Sequence, residues 1–239
     1  MRLASRDDAK WRVVWLHGWG LTHESMIPIA TLFASQTENY AVDLAGFGGQ
    51  TPPPSFVYGS RDYADDVAKF IKNLPPKQTI VIGHSNGGRV ALQLAANYPE
   101  IVDSIVLLGG AGLPKKYSLL FRIYKFLLKR LSVIAKKIPI LRNVRASSKD
   151  YKNAKGIMVK VFEKILDENL GEMSKNIKIP TLLIYGKDDC NTPVYIGEEY
   201  NKNIVNSVLC VIASDHNGLI TVKIRQVHHL ITKFIREKL

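Results

Sequence analysis

The chain has 239 residues, of which 46% are hydrophobic and 23% are charged. This length and composition are typical of one soluble globular domain of good size. The two cysteines, Cys190 and Cys210, belong to no cluster with metal-ligand spacing, which argues against a disulfide framework and a zinc site. The N-terminal residues lack the apolar stretch of a secretory signal, and no run of about 18 residues is free of charge. We therefore expect a cytoplasmic protein.

The formal net charge of +12 is concentrated in one part of the chain. Between Leu113 and Met173 there are fifteen Lys and Arg residues and five Asp and Glu residues, whereas the rest of the sequence is nearly neutral. The basic character therefore belongs to one segment and not to the whole surface.

Short apolar, β-branched runs alternate with segments whose apolar residues recur every three or four positions. Such alternation predicts a parallel sheet with helices on both faces. The predicted strands are residues 11–16, 41–44, 79–82, 104–108, 181–185 and 207–212. The predicted helices are residues 61–74, 86–98, 194–202 and 222–238.

The basic segment interrupts this pattern once and contains no strand-like run. We predict a helical cap over residues 113–176, inserted into a core formed by residues 1–112 and 177–239. Three interpretations of its charge stay open. The basic residues form a solvated outer face, they attract anionic substrates to the site, or they belong to an amphipathic surface that lies on anionic membranes.

The strongest motif is Gly83-His84-Ser85-Asn86-Gly87-Gly88, directly after one predicted strand and directly before a predicted helix. A GxSxG sequence in this context predicts a nucleophile elbow, in which Ser85 sits on a sharp turn and Gly83 and Gly87 allow close packing. The backbone amide of Asn86 would then lie at a helix N-terminus, where it can stabilise an oxyanion.

A second motif, Leu16-His17-Gly18-Trp19-Gly20, follows the first predicted strand. With the elbow, it resembles the α/β-hydrolase family. This resemblance implies an α/β-hydrolase fold and a second oxyanion-hole amide from Trp19, with His17 and Gly18 supporting the loop. The later run Asp43-Leu44-Ala45-Gly46-Phe47-Gly48 resembles a DLPGFG-type loop of the same family, with alanine in place of proline.

The resemblance also implies the other two members of a catalytic triad. In the family pattern the acid stands three residues after a strand-ending glycine and four before a proline, which selects Asp189 over its neighbour Asp188. The base follows the acid in the chain, and His216 lies in a polar loop after the last predicted strand. The other histidines are predicted to pack, to support loops or to lie at the surface: His23, His84, His228 and His229.

The resemblance is greatest to small bacterial carboxylesterases with a helical cap, including pimeloyl-ester carboxylesterases. It implies a serine hydrolase that cleaves a small-molecule ester through an acyl-enzyme, without metal or cofactor and without an obligate protein partner. Asn86 departs from the Met, Leu or Gln common after the nucleophile, so the substrate class stays open.

Other activities of the fold are compatible with the same triad: lactonase, thioesterase, C–C bond hydrolase and cofactor-free haloperoxidase. A ligand receptor with slow turnover is a further alternative from a different functional class. Nucleic-acid binding is not expected, because the basic segment contains no recognition motif and alternates cations with bulky apolar residues.

Overall fold

The computed structural model describes residues 1–53, 56–114 and 153–238. Six parallel strands form one sheet in the order β2-β1-β3-β4-β5-β6. Because all strands run in the same direction, their carboxyl ends meet at one edge of the sheet. The strands are β1 (Trp11–Leu16), β2 (Thr37–Val42), β3 (Gln78–His84), β4 (Ser104–Leu108), β5 (Thr181–Gly186) and β6 (Ser207–Ile212).

Helices cover both faces of the sheet, as the alternating pattern predicts. In chain order they are α1 (Ile27–Ala30), α2 (Ser60–Lys72), α3 (Asn86–Asn97), α4 (Ile157–Asp167), α5 (Gly171–Ser174), α6 (Val194–Asn203) and α7 (Ile224–Lys238). Helices α1 and α7 pack on one face, and α2, α3, α4 and α6 pack on the other.

Strand β1 shows why both faces are apolar. Val13 and Trp15 belong to the core under α1 and α7, whereas Val14 and Leu16 belong to the core under α2 and α3. All four side chains are fully buried. A strand buried on both sides has a continuous apolar sequence instead of an alternating one, which explains why the sequence predicted β1 correctly.

The bounds of β2 are the main correction to the predicted elements. The strand covers Thr37–Val42 instead of the predicted residues 41–44. Its first half is polar but buried: Glu38 accepts a hydrogen bond from the buried Arg12 at 3.1 Å, and Asn39 Oδ1 accepts one from Trp15 Nε1 at 3.0 Å. The predicted strand leaves these polar residues out, but their long-range partners place them inside the sheet.

Helix α4 is a described part of the predicted cap, and it packs on the core. Its residues Met158, Val161 and Ile165 are buried in the same cluster as α2 and α3. Residues 115–152, with twelve of the fifteen cations of the basic segment, lie outside the described residues. The cap boundaries and the role of its charge therefore stay predictions. Within the described ranges, no helix is long and apolar enough to cross a membrane.

Candidate active site

Ser85 occupies a sharp turn between β3 and α3. Its backbone dihedral angles are φ 51° and ψ −110°, and within the described ranges it is the only residue other than glycine with a positive φ. A side chain on Gly83 would collide with the Gly87 carbonyl, and one on Gly87 would collide with the Leu16 carbonyl. These contacts explain why the motif has glycine at positions 83 and 87. The backbone of Ser85 between them has the strained geometry that is typical of a nucleophile elbow.

Asp189 and His216 face each other across loops that follow β5 and β6. His216 Nδ1 donates a hydrogen bond to Asp189 Oδ2 at 2.6 Å, and the Asp189 side chain is fully buried. Burial disfavours the charged carboxylate, but hydrogen bonds from His216 and Thr192 outweigh it and lower the pKa of Asp189. Asp188, by contrast, is exposed. The structure thus places a carboxylate in the position that orients an imidazole.

Thr192 is a member of this site that the sequence analysis missed. Its hydroxyl donates to Asp189 Oδ2 at 2.7 Å and lies 3.1 Å from His216 Nδ1. Its backbone amide, together with that of Asn191, donates to Asp189 Oδ1 at 2.8 Å. A threonine just before Pro193, three residues after the acid, was the available clue. The loop holds both carboxylate oxygens and fixes the direction of the acid.

His84 connects the elbow to the loop that bears His216. The two rings lie 4.7 Å apart, and His84 Nε2 is 3.2 Å from the His216 carbonyl oxygen. Complete burial, together with the neighbouring His216, lowers the pKa of His84 to about 3. His84 is therefore neutral, which lets Nε2–H donate to that carbonyl while Nδ1 stays unprotonated.

His17 and Gly18 bring the first loop against Ser85. A Cβ atom on Gly18 would lie only 3.3 Å from Ser85 Cβ. The amide of Leu44 donates to His17 Nε2 at 3.1 Å, so the ring proton is on Nδ1, which donates to the Gly18 carbonyl at 2.7 Å. Burial lowers the pKa of His17 and keeps the ring neutral. His17 thereby joins the two loops that follow β1 and β2.

Trp19, the predicted oxyanion donor of this loop, is held by aromatic rings. Its indole contacts Phe47 edge to face at a centroid distance of 4.9 Å, and it contacts Phe162 of α4 at 4.7 Å. Phe47 also packs edge to face against His17, at 5.4 Å. The loop is thus held by Phe47 from the loop after β2 and by Phe162 from α4.

The remaining histidines have structural contacts of their own. Asp43 accepts hydrogen bonds at 2.6 Å from both the backbone amide and Nδ1 of His23, which joins the second loop to the first. His228 packs its ring on Phe33 at 4.5 Å, and His229 is exposed on α7. Neither His228 nor His229 lies in the loop that contains His216. Asp43 as a partner for His23 was not predicted.

The residues predicted for the triad all follow carboxyl ends of strands: β3 for Ser85, β5 for Asp189 and β6 for His216. No direct hydrogen bond joins Ser85 Oγ to His216 within the described ranges, and such bonds are often long before substrate binds. Among the same residues, no group of His, Cys, Asp and Glu side chains is placed to hold a metal ion. The arrangement offers a nucleophile, an oriented base and loop amides for acyl transfer.

Such a sheet, elbow and acid loop define a hydrolase-type fold, and comparison with known proteins gives the family. A sequence profile of the alpha/beta hydrolase fold matches residues 12–132, which is half of the chain. The chain belongs to the α/β-hydrolase family. Hydrolase YugF of Bacillus subtilis is 24% identical over 217 residues, which cover 82% of this chain and 80% of YugF.

Solved structures show the same fold over almost the whole chain. A lipase-esterase related protein from Clostridium acetobutylicum superimposes with a TM-score of 0.74 and 24% identity, covering 98% of both chains. The enol-lactonase from Burkholderia xenovorans superimposes with a TM-score of 0.75 and 17% identity, covering 98% of this chain and 94% of the lactonase. At these identities the likeness concerns the fold.

Proposed function

We propose that this protein is a serine carboxylic-ester hydrolase that acts through an acyl-enzyme on a small-molecule ester. The observation that carries the proposal is the 2.6 Å hydrogen bond between His216 Nδ1 and the buried Asp189, on loops beside the strained Ser85. A carboxylate in this position holds the imidazole in the tautomer whose Nε2 accepts a proton.

The proposed reaction has two halves. Ser85 Oγ attacks the ester carbonyl while His216 Nε2 takes the serine proton, and the backbone amides of Trp19 and Asn86 stabilise the oxyanion. His216 then gives the proton to the leaving alcohol, and the C–O bond to that alcohol breaks. Water then attacks the acyl-enzyme while His216 Nε2 takes one of its protons; His216 returns this proton to Ser85 Oγ as the bond between Oγ and the acyl carbon breaks, which releases the acid and free Ser85.

Ester hydrolysis ranks first because it requires nothing beyond a triad and an oxyanion hole. Two alternatives, lactones and thioesters, use the same groups and differ in the leaving group. They are separated by measuring kcat/KM for aryl esters, thioesters and lactones of matched acyl length. A slow receptor would turn over none of them at rates above about 10⁻² s⁻¹, well below ordinary enzymes.

The decisive variant is Ser85→Ala. We expect kcat to fall by about 10⁴ or more, as loss of a triad nucleophile does elsewhere, because the acyl-enzyme cannot form. An organophosphonate should label the wild type once, at Ser85, as measured by peptide mass spectrometry. Circular dichroism of the variant serves as the control for folding. Labelling at another residue, or an alanine variant that keeps most of its activity, would refute the assignment.

A further inference from the structure

Helix α3 has a polar stripe on the side that faces away from the sheet. A side chain on Gly87 would point at the Leu16 carbonyl of β1, and one on Gly88 at Gly110 beyond β4, so these positions face the sheet. At 100° per residue, Asn86, Arg89 and Gln93 then point to the opposite side. Asn86 and Arg89 are nevertheless only 4% and 6% exposed, because other parts of the chain cover them.

The half of the stripe far from the elbow is paired within the protein. Gln93 Nε2 donates to Ser60 Oγ at 2.9 Å, at the start of α2. Asn97 Nδ2 donates to Gln93 Oε1 at 3.1 Å and to the Gln93 carbonyl at 2.8 Å. This half has the hydrogen bonds that buried polar groups ordinarily have.

The half next to the elbow contains several polar atoms without a partner among the described residues. Both amide atoms of Asn86, Nη1 of Arg89 and Oε2 of Glu168 are buried without a hydrogen-bond partner in the described part of the chain. Glu168 follows α4 and is anchored through its other oxygen, Oε1, which accepts a hydrogen bond from the Ser60 amide at 2.8 Å. Unpaired groups of this kind are costly in a folded protein, so several in one place call for a partner.

Arg89 and Glu168 carry opposite charges and act on each other without direct pairing. Burial lowers the pKa of Arg89, and it outweighs the smaller opposing effects of Tyr200 and then Glu168, which favour the charged guanidinium. No ion pair joins the two side chains within the described ranges. Together they present one cationic donor and one anionic acceptor with no net charge, and Asn86 adds a neutral donor and acceptor.

We propose that this cluster of Asn86, Arg89 and Glu168 binds a neutral hydrogen-bonding group, a hydroxyl or a primary amide, on the acyl part of the substrate. The inference rests on the proposed ester hydrolysis. Asn86 is the first residue of α3 and directly follows Ser85 in the chain, so the cluster lies at the end of the helix that adjoins the proposed nucleophile. Such a group can donate to Glu168 or to Asn86 and accept from Arg89 or from Asn86.

Two other acyl groups fit this cluster less well. A plain alkyl chain would leave the donors and acceptors buried and unpaired, and sites built to hydrogen-bond a substrate reject the analogue that lacks the group. A carboxylate could pair with Arg89 but would be repelled by Glu168 nearby. The cluster therefore favours an acyl group that is polar but uncharged.

The test compares three aryl esters at each acyl length from six to ten carbons: unsubstituted, ω-hydroxy and ω-carboxy. For the wild type we expect kcat/KM of the hydroxy ester to exceed that of both others by about tenfold or more at one or two lengths. Asn86→Leu and Arg89→Met should each reduce the ratio of hydroxy to unsubstituted ester by about tenfold. Because the readout is a ratio, a general loss of activity does not imitate the effect.

Gln93→Met is the matched control, since it removes a paired polar group from the same face of α3, one turn further on. Its ratio should equal that of the wild type. If the wild type prefers the unsubstituted or the ω-carboxy ester at every length, or if Asn86→Leu leaves the ratio unchanged, the inference is wrong while ester hydrolysis stands. Absence of Ser85-dependent hydrolysis of every ester would instead refute the proposed function.

Discussion

The two sides of the candidate site are held in different ways. On the acid side, short hydrogen bonds from the side chains of His216 and Thr192 and from two backbone amides fix Asp189. On the side of the predicted oxyanion donor, a neutral histidine and the rings of Phe47 and Phe162 fix the loop of Trp19. The difference teaches that a charged group is positioned by several directed donors, whereas a loop that presents a backbone amide is positioned mainly by the packing of rings. Substitutions should therefore act differently on the two sides.

The largest effect is expected from Asp189→Asn. An amide at this position can no longer hold the imidazole of His216 in the active tautomer, so we expect kcat to fall by about 10⁴. Asp188→Asn is the matched control, because Asp188 is the exposed neighbour. Steady-state kinetics on a short aryl ester measures both. A larger loss of kcat in the Asp188 variant would mean that Asp188, and not Asp189, orients the imidazole of His216.

Thr192→Val tests the hydroxyl of the acid side separately from its backbone. Valine keeps the shape and the amide donor but removes the bond to Asp189 Oδ2, so we expect kcat to fall by about 10- to 100-fold, as for the outer partners of other polar sites. Thr192→Ser restores a hydroxyl and should recover most of the loss. Equal activity of the valine and serine variants would mean that the hydroxyl does not orient the acid.

His84 lies between the two sides, and its effect is expected on stability. The unfolded ring has an ordinary pKa near 6.5, whereas burial lowers the folded pKa to about 3, so the unfolded state binds the proton more tightly. Stability should therefore fall as pH drops from about 6.5 toward 3. Between pH 7 and 5 this amounts to about 2 kcal/mol of unfolding free energy, at 1.36 kcal/mol per pH unit.

Urea unfolding of His84→Gln at pH 7 and pH 5 checks this expectation. Glutamine does not titrate, so the variant should lose about 2 kcal/mol less than the wild type over that interval. His229→Gln, which alters an exposed histidine of α7, should follow the wild type. If the His84 variant and the wild type lose the same free energy, the buried ring does not stay neutral as described.

The smallest effect is expected on the oxyanion side. Phe162→Leu keeps an apolar side chain but removes the ring that contacts Trp19, so the loop amide should be less well placed. We expect kcat for a short ester to fall about 3- to 10-fold with little change in KM, because the amide acts mainly in the transition state. Leu166→Ala on the same helix, where the side chain is 37% exposed, is the control. A change confined to KM would assign Phe162 to substrate binding.

The sequence predicted the elements that can be recognised from the order of neighbouring residues alone. The apolar run of β1 and the serine turn needed no distant partner to be recognised. Glu38 and Asn39 of β2 could not be placed, because their burial depends on Arg12 and Trp15 from another strand. The same holds within the site: Thr192 acquires its role only when β5 and β6 bring Asp189 and His216 together.

The polar stripe of α3 is another feature that the sequence alone did not give. Asn86 and Arg89 appear as ordinary residues of an amphipathic helix, whose polar side would face water. The structure instead buries both side chains, and Arg89 lies close enough to Glu168, which is far away in the chain, for the carboxylate to affect its pKa. Only the folded chain shows that, within the described residues, both amide atoms of Asn86 and Nη1 of Arg89 have no hydrogen-bond partner.

The backbone of Ser85 has a consequence for selection experiments. A non-glycine residue at φ 51° and ψ −110° stores strain of about 1–3 kcal/mol, which glycine would relieve. Random variants chosen for heat resistance or expression alone would thus favour replacement of Ser85, the proposed nucleophile. Directed evolution of a more stable variant therefore has to screen for turnover in every round, because the most stable turn has glycine in place of Ser85 and cannot form an acyl-enzyme.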